Sequence, residues 1–251
     1  IHQASTSELT FAATNQPRVS GGLTSNASLG ELMILPLTIA VILFLHSRSL
    51  NKRLGYGILI VFFAIPFFFS FTRASWVGFA LVLFVLALLK YRKLLLLIPI
   101  IGIILWLTVP AISLRFSDLS FQNPETSTLG VRLKLWSAAI KLFKSSPFIG
   151  VGFGVSDSLA GIMVYGKYHP VHNTYIRVLA DTGIIGFIAY LGLLFSFLRE
   201  AISSYRKVHN PFYRTLILGF IGLCVALMWQ RIWGNQLTTS VRQIPFWSYA
   251  A

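Results

Sequence analysis

Acidic side chains are scarce in this 251-residue chain, which has seven aspartates and glutamates against 21 lysines and arginines. Charged residues make up 11% of the sequence, whereas a typical soluble domain has about 25%. A net charge of +14 would suit a nucleic-acid-binding protein, but the basic residues lie in short segments between apolar runs. We therefore expect no nucleic acid partner and interpret the charge as a topology signal combined with an anionic ligand.

Cysteine is almost absent as well. Cys224 is the only cysteine in the sequence, so no disulfide can form within the chain. The sequence begins with Ile1 and has no basic segment followed by an apolar run, so we expect no signal peptide. Because it also lacks an initiator methionine, we expect a processed chain or a fragment.

Long apolar runs dominate the sequence, which has 55% hydrophobic residues and a mean hydropathy of +0.74. This composition predicts an all-α polytopic membrane protein with about six transmembrane helices and a long helical extracytoplasmic loop. The predicted spans are 29–45, 55–71, 75–89, 94–109, 184–198 and 216–233. The predicted segments are an extracytoplasmic N-terminus (1–28), four transmembrane helices (29–109), an extracytoplasmic loop (110–183), two transmembrane helices (184–235) and an extracytoplasmic tail (236–251).

Three short loops between the predicted spans, at 46–54, 90–93 and 199–215, are rich in basic residues. They hold ten lysines and arginines in about thirty positions. By the positive-inside rule this side faces the cytoplasm. The N-terminus, the 110–183 loop and the C-terminus then face outward.

Apolar residues recur at helical spacing within the long loop. The apolar stripe comprises Leu133, Trp136, Ile140 and Phe143, and the lysines off it are Lys134, Lys141 and Lys144. This pattern predicts a basic amphipathic helix of about fifteen residues, which Pro147 ends. The helix either lies on lipid headgroups or simply packs against the other helices.

Arg73 falls in the short interruption between the second and third predicted spans, and we expect it at the outer surface of the bilayer or just below that surface. A charge at that depth is costly unless it is paired, and none of the seven acids is near it in sequence. It could extend to the headgroups. Alternatively, its planar guanidinium could bind a phosphate.

Arg132 is predicted in the first turn of the amphipathic helix, where a cation is unfavourable against the helix dipole. A bound anion would be favoured there by both the arginine and the backbone N–H groups. The alternative is an ordinary surface arginine.

The segment after this helix contains a glycine run and two histidines. Gly150, Gly152 and Gly154 lack the context of a nucleotide-binding loop, so we predict a tight turn with close backbone approach. His169 and His172 have no third ligand at useful spacing, so we expect no metal. Asn173 is predicted to be a helix N-cap, which would put His172 at a helix N-terminus, where positive charge is disfavoured. The neutral imidazole is the form that a general base requires. The alternative is a purely structural histidine.

Four stretches in this order resemble the O-antigen ligase and polymerase family of bacterial membrane glycosyltransferases. They are Arg18 with Gly21 and Asn26; the turn Thr72-Arg73; Arg132 and Trp136 followed by Pro147, Gly150 and Gly152; and His172-Asn173 followed by Gly183 and Gly186. The chain departs from the family pattern in two places, with Thr72 for a serine and Asp181 for a glutamate. The family is usually longer at the N-terminus, so we expect this chain to be the C-terminal part of a longer protein.

The resemblance implies a metal-independent glycosyltransferase without cofactors in the bacterial cytoplasmic (inner) membrane, with an outward-facing active site. It implies an undecaprenyl-diphosphate-linked glycan as donor and a glycan or lipid A core as acceptor, with membrane lipids around them. The implied catalytic residues are His172, Arg73 and Arg132, and the implied substrate-binding residues are Arg18, Asn173, Lys134 and His169.

A transporter or flippase for an anionic lipid-linked substrate is the main alternative, since it would use the same arginines. Such a transporter should show paired, inverted halves with interrupted spans, and no matching halves occur in the sequence. A noncatalytic membrane scaffold would explain the spans but not the arginines or the His-Asn pair.

Overall fold

The structure, a computed structural model, describes residues 10–11, 16–17, 26–96 and 128–234. Two short strands, β1 (Thr10–Phe11) and β2 (Gln16–Pro17), pair antiparallel. The helices that follow are α1 (Asn26–His46), α2 (Leu50–Phe69), α3 (Arg73–Leu89), α4 (Thr128–Ser145), α5 (Val155–Tyr165), α6 (Thr174–Lys207) and α7 (Pro211–Trp233). Residues 94–96 are also helical, and the rest of the predicted fourth span lies outside the described residues.

Four of the described helices, α1, α2, α6 and α7, are long and apolar enough to cross a membrane. The shorter apolar helix α3 corresponds to the predicted third span. On α2, Ile58 and Phe62 are 70% and 64% exposed, as expected for side chains that face lipid acyl chains. The predicted all-helical polytopic membrane architecture is confirmed.

The chain divides into two compact units. The described part of the first unit contains α1, α2, α3 and residues 200–226. The described part of the second contains α4, α5 and the remainder of α6 and α7, that is, residues 128–199 and 227–234. Each unit has its own buried residues.

Glycines allow close helix packing in the first unit, as is common where helices associate in membranes. A Cβ atom on Gly219 of α7 would lie 2.3 Å from Ile42 of α1, and one on Gly222 would lie 3.0 Å from the backbone of Val82 on α3. Lys90, at the end of α3, donates hydrogen bonds to the Pro211 carbonyl and the Thr215 hydroxyl. These contacts tie α7 to α1 and α3.

The second unit is built around small buried residues. Its core contains Ala138 and Ala139 of α4, Ala160 of α5, Val171, and Ala180 of α6. Small side chains let the three helices approach closely. Trp136, Phe143 and Ile176 pack around this core.

Helix α6 is broken at Gly183, whose φ and ψ are 66° and −168°. A break of this kind releases backbone donors from the helical pattern. The N–H of Ile184 is instead satisfied by the carbonyl of Pro147 at 2.8 Å. The segment between α4 and α5 therefore packs directly on the break in α6.

Candidate functional site

His172 lies in the short connection between α5 and α6, next to Val171, whose backbone N–H and carbonyl are both hydrogen-bonded to side chains. Val171 is fully buried. Its N–H donates to Asp157 Oδ1 and its carbonyl accepts from Trp136 Nε1, both at 2.9 Å. The backbone on the N-terminal side of His172 is thus fixed by α4 and α5 together.

Asn173 fixes the other side of His172. Its Oδ1 accepts a hydrogen bond from the Ile176 N–H at 3.1 Å, so it is the N-cap of α6 and the predicted cap is confirmed. His172 itself has φ of +55°, a left-handed conformation that is uncommon for residues other than glycine. The anchors on either side hold the histidine in this strained corner.

Next to this corner is a buried ionic cluster that the sequence analysis did not identify, linked to it by the hydrogen bond from Val171 to Asp157. Arg177 Nε lies 3.3 Å from Asp157 Oδ2 and 3.3 Å from Asp181 Oδ2, and all three side chains are at most 2% exposed. Backbone N–H groups of Gly154 and Ser156 donate to Asp181, and the Val171 N–H donates to Asp157. These donors compensate a charge that would otherwise be costly to bury.

The glycine run forms the predicted tight turn, which is confirmed. Gly150, Gly152 and Gly154 all have positive φ, of 72°, 112° and 80°. The N–H groups of Val151 and Gly152 donate to the carbonyls of Ala180 and Asp181 at 2.9 and 3.0 Å. A Cβ atom on Gly150 would lie 2.3 Å from the Asp181 carbonyl carbon, so only glycine fits.

Arg132 is brought to the same region by α4. It lies one turn before Trp136 on the same face of the helix, and Trp136 bonds to the residue preceding His172. The Arg132 guanidinium stacks on the Trp233 ring, 5.6 Å from its centroid, and the Trp136 and Trp233 rings are 6.3 Å apart. Arg132 is therefore linked to the His172 connection through its helix neighbour Trp136.

One detail of the predicted amphipathic helix is wrong. The helix begins at Thr128, so Arg132 lies in the second turn rather than the first, and the unfavourable helix-dipole effect there is weaker. Leu133 and Ile140 of the predicted apolar stripe are 51% and 39% exposed. The face buried against α5 and α6 instead contains Leu135, Ala138 and Ala139. The helix ends at Ser145, before Pro147.

His169 lies beside His172, with ring centroids 5.9 Å apart and rings nearly perpendicular. The His169 ring also lies beside that of Tyr165, with centroids 5.4 Å apart. Across the described ranges, no group of three His, Cys, Asp or Glu side chains could hold a metal ion. The two histidines form an aromatic pair at the corner.

Three further residues were predicted to belong to the site: Lys134, Arg18 and Arg73. Lys134 is exposed on α4, and Arg18 lies outside the described residues. Arg73 is the first residue of α3 in the first unit, where it is partly buried. A Cβ atom on Gly30 of α1 would lie 2.7 Å from Ser70 Oγ and 2.9 Å from Ser75 Oγ, so α1 supports the turn that carries Arg73. Convergence of Arg73 with Arg132 and His172 stays a prediction.

The apolar helices define a polytopic membrane protein, and the anchored His172 connection, with Arg132 on α4, is its candidate site. The family model for O-antigen ligase matches residues 57–191, and the chain belongs to this family. The matched region includes Arg73, Arg132 and His172. The resemblance seen in the sequence is confirmed.

Two relatives with similar sequences come from Rickettsia. The chain is 26% identical over 222 residues to a Rickettsia typhi protein named "Putative polysaccharide ligase", covering 80% of this chain and 53% of the relative. It is 27% identical over 219 residues to a protein of the same name from Rickettsia felis, covering 79% and 53%. The chain thus spans about half the length of these curated relatives.

Proposed function

We propose that the protein transfers a glycan from an undecaprenyl-diphosphate donor to a sugar hydroxyl, as an O-antigen ligase or a polysaccharide polymerase. The observation that carries this proposal is the anchored His172 corner, which Trp136 holds through the Val171 carbonyl, together with Arg132 one turn earlier on the same helix. A proton acceptor and a fixed guanidinium are the two groups that such a transfer needs. Membership of the O-antigen ligase family supports the reaction class.

His172 is the proposed general base. The acceptor hydroxyl oxygen attacks the anomeric carbon of the donor sugar, and the bond from that carbon to the diphosphate oxygen breaks. The hydroxyl proton passes to the imidazole of His172, and the lipid diphosphate leaves with the bonding electron pair. Because the donor is already activated by its diphosphate, the reaction requires neither a metal ion nor a cofactor.

Arg132 and Arg73 are proposed to bind the diphosphate and to stabilise the negative charge that develops on it. The stacking of Arg132 on Trp233 restricts the orientation of its guanidinium, which favours a bidentate contact. Arg73 begins α3, so an anion near it would also be favoured by the helix N-terminus.

The remaining site residues are given substrate-binding roles in this proposal. His169, Lys134 and Arg18 contact the glycan or the diphosphate, while Asn173 keeps the corner in shape. The site faces outward from the bacterial cytoplasmic membrane, where the acceptor is either a lipid A core or a growing glycan.

Gel analysis of surface glycan in a deletion strain, complemented with the full-length protein, tests the activity. An intact core without polymer indicates a ligase, and a core with a single repeat indicates a polymerase. Accumulation of the lipid-linked donor on the outer face of the membrane in the deletion strain agrees with either a ligase or a polymerase. Donor retained on the cytoplasmic face would instead show a flippase and overturn the proposal.

Substitutions test the assigned roles in purified protein. His172→Asn retains a residue that tolerates positive φ but lacks the base, and we expect transfer to fall roughly 10²–10⁴-fold. His209→Asn, at an exposed histidine, is the matched control. Arg132→Lys and Arg73→Lys keep the charge but lose the planar fork, so both should transfer poorly while Arg206→Lys should not. Unchanged transfer in His172→Asn would remove the base from the mechanism.

A further inference from the structure

The segment joining α4 to α5 exposes large apolar side chains. Phe148, Ile149 and Phe153 are 68%, 74% and 70% exposed, and we call these three residues the tip surface. On α5, four further apolar side chains are exposed along one face at helical spacing: Val155, Leu159, Ile162 and Met163. An exposed apolar area of this kind marks an interaction surface.

The tip surface continues the lipid-facing side of α6. The carbonyl of Pro147 accepts from the Ile184 N–H at 2.8 Å, so the tip packs where the apolar part of α6 begins. Ile185 and Ile188, just beyond this contact, are both 62% exposed on a helix long enough to cross the membrane. Exposed apolar side chains thus occur on both partners of this contact, the membrane span and the tip.

The hydrogen bonds also indicate the depth of the tip. The Thr174 hydroxyl donates to the Gly234 carbonyl and the Tyr175 hydroxyl to the Met228 carbonyl, so the start of α6 is level with the end of α7. The tip bonds to α6 at Ala180, six residues later, which is about 9 Å further along the helix. The tip is therefore nearer the membrane centre than the His172 corner.

The backbone of the tip is suited to an apolar surrounding. Irregular backbone is tolerated at membrane depth only where the protein satisfies its polar groups. Here the N–H groups of Val151, Gly152 and Gly154 donate to α6, and the Pro147 carbonyl accepts from it. The polar groups point into the protein, and the apolar side chains point away from it.

Basic residues lie close to the tip on α4. Lys141 and Lys144 are exposed in the last two turns before it. Lysines beside an inserted apolar segment can extend their ammonium groups to lipid phosphates. Anionic headgroups would complement their charge.

We propose that the tip surface inserts into the acyl-chain region of the adjacent leaflet, with Lys141 and Lys144 at the level of its phosphates. The occupant of this surface is the phospholipid bilayer itself. The α4–α5 hairpin is thereby a membrane anchor that fixes the His172 corner at a set height above the leaflet. This inference depends on the membrane spans and not on the proposed reaction.

Site-specific fluorescence tests the insertion. In a Cys224→Ala background, the full-length protein would carry a single environment-sensitive fluorophore at Phe153→Cys, in nanodiscs containing anionic phospholipid. Lys167→Cys, at an exposed residue beyond the far end of α5, is the matched control. We expect the Phe153 label to be blue-shifted and quenched several-fold more by acyl-chain nitroxide lipid than by aqueous iodide, with the opposite order for Lys167.

Two results would overturn the proposal. Equal access of iodide to both labels would place the tip in water. A Phe153 label shielded from both quenchers, with shielding that depends on protein loading per nanodisc, would show that a second copy of the chain covers the surface. Ile149→Cys provides an independent position if the Phe153 variant folds poorly.

Discussion

The backbones of Gly183 and Phe148 are in direct contact: a Cβ atom on Gly183 would lie 2.3 Å from the carbonyl carbon of Phe148. Gly183 also has positive φ, which disfavours any side chain. Gly183→Ala should therefore separate the tip from α6, destabilise the protein by more than about 1 kcal/mol and reduce transfer. The measurement is the temperature at which detergent-solubilised protein loses its monodisperse chromatographic peak.

Gly192 provides the control on the same helix. Nothing lies within 4 Å of a Cβ atom there, so Gly192→Ala should be neutral or slightly stabilising, by up to about 1 kcal/mol. If Gly183→Ala and Gly192→Ala lose their monodisperse peak at the same temperature, the contact between Gly183 and Phe148 does not contribute to stability.

Arg177→Met should leave Asp157 and Asp181 buried without their cation. Removing one partner from a buried ionic cluster costs about 3–5 kcal/mol, so we expect a large loss of folded protein in membranes, read by protease resistance. Arg206→Met, at an exposed arginine further along α6, should change little. A folded and resistant Arg177 variant would show that the two buried carboxylates do not depend on this guanidinium.

Trp136→Phe should retain the ring packing but lose the hydrogen bond to the Val171 carbonyl. A lost hydrogen bond of this kind costs about 1 kcal/mol in stability. Because the loss also loosens the corner that holds His172, kcat per folded molecule should fall as well. Leu133→Ala, at an exposed neighbour on α4, is the control. If the role of Trp136 is confined to stability, kcat per folded molecule will be unchanged.

Gly30→Leu should displace the turn that carries Arg73, because a side chain there would meet Ser70 and Ser75. If Arg73 binds the donor diphosphate, the apparent KM for the lipid-linked donor should rise in the purified variant. Gly55→Leu, where nothing lies within 4 Å, should leave it unchanged. A normal KM in a folded Gly30 variant would argue against a donor contact by Arg73.

Local backbone rules explain which features were predictable from sequence. The Asn173 cap, the helix end before Pro147 and the turn at Gly150 each depend on the intrinsic conformational preferences of one or two residues. Such preferences can be read without knowledge of the fold. The strong apolar runs likewise indicated α1, α2, α6 and α7.

Features that depend on tertiary contacts were not predictable in the same way. In a membrane protein large apolar side chains are stable against lipid, so hydrophobic spacing could not show that Leu133 faces outward while Ala138 and Ala139 are buried. The partners Asp157 and Arg177 are twenty residues apart, on different helices. Acidic residues are rare in this sequence, and that rarity could have drawn attention to Asp157 and Asp181. Only the fold shows that Arg177 pairs with both of them.

The positive φ of His172 has a consequence for the evolution of the corner. A histidine pays a conformational cost of order 1–3 kcal/mol in such a position, whereas glycine would relieve it. His172→Gly should therefore melt at a higher temperature than the native protein while losing transfer. That result would identify the corner as a place where selection for activity has opposed selection for stability.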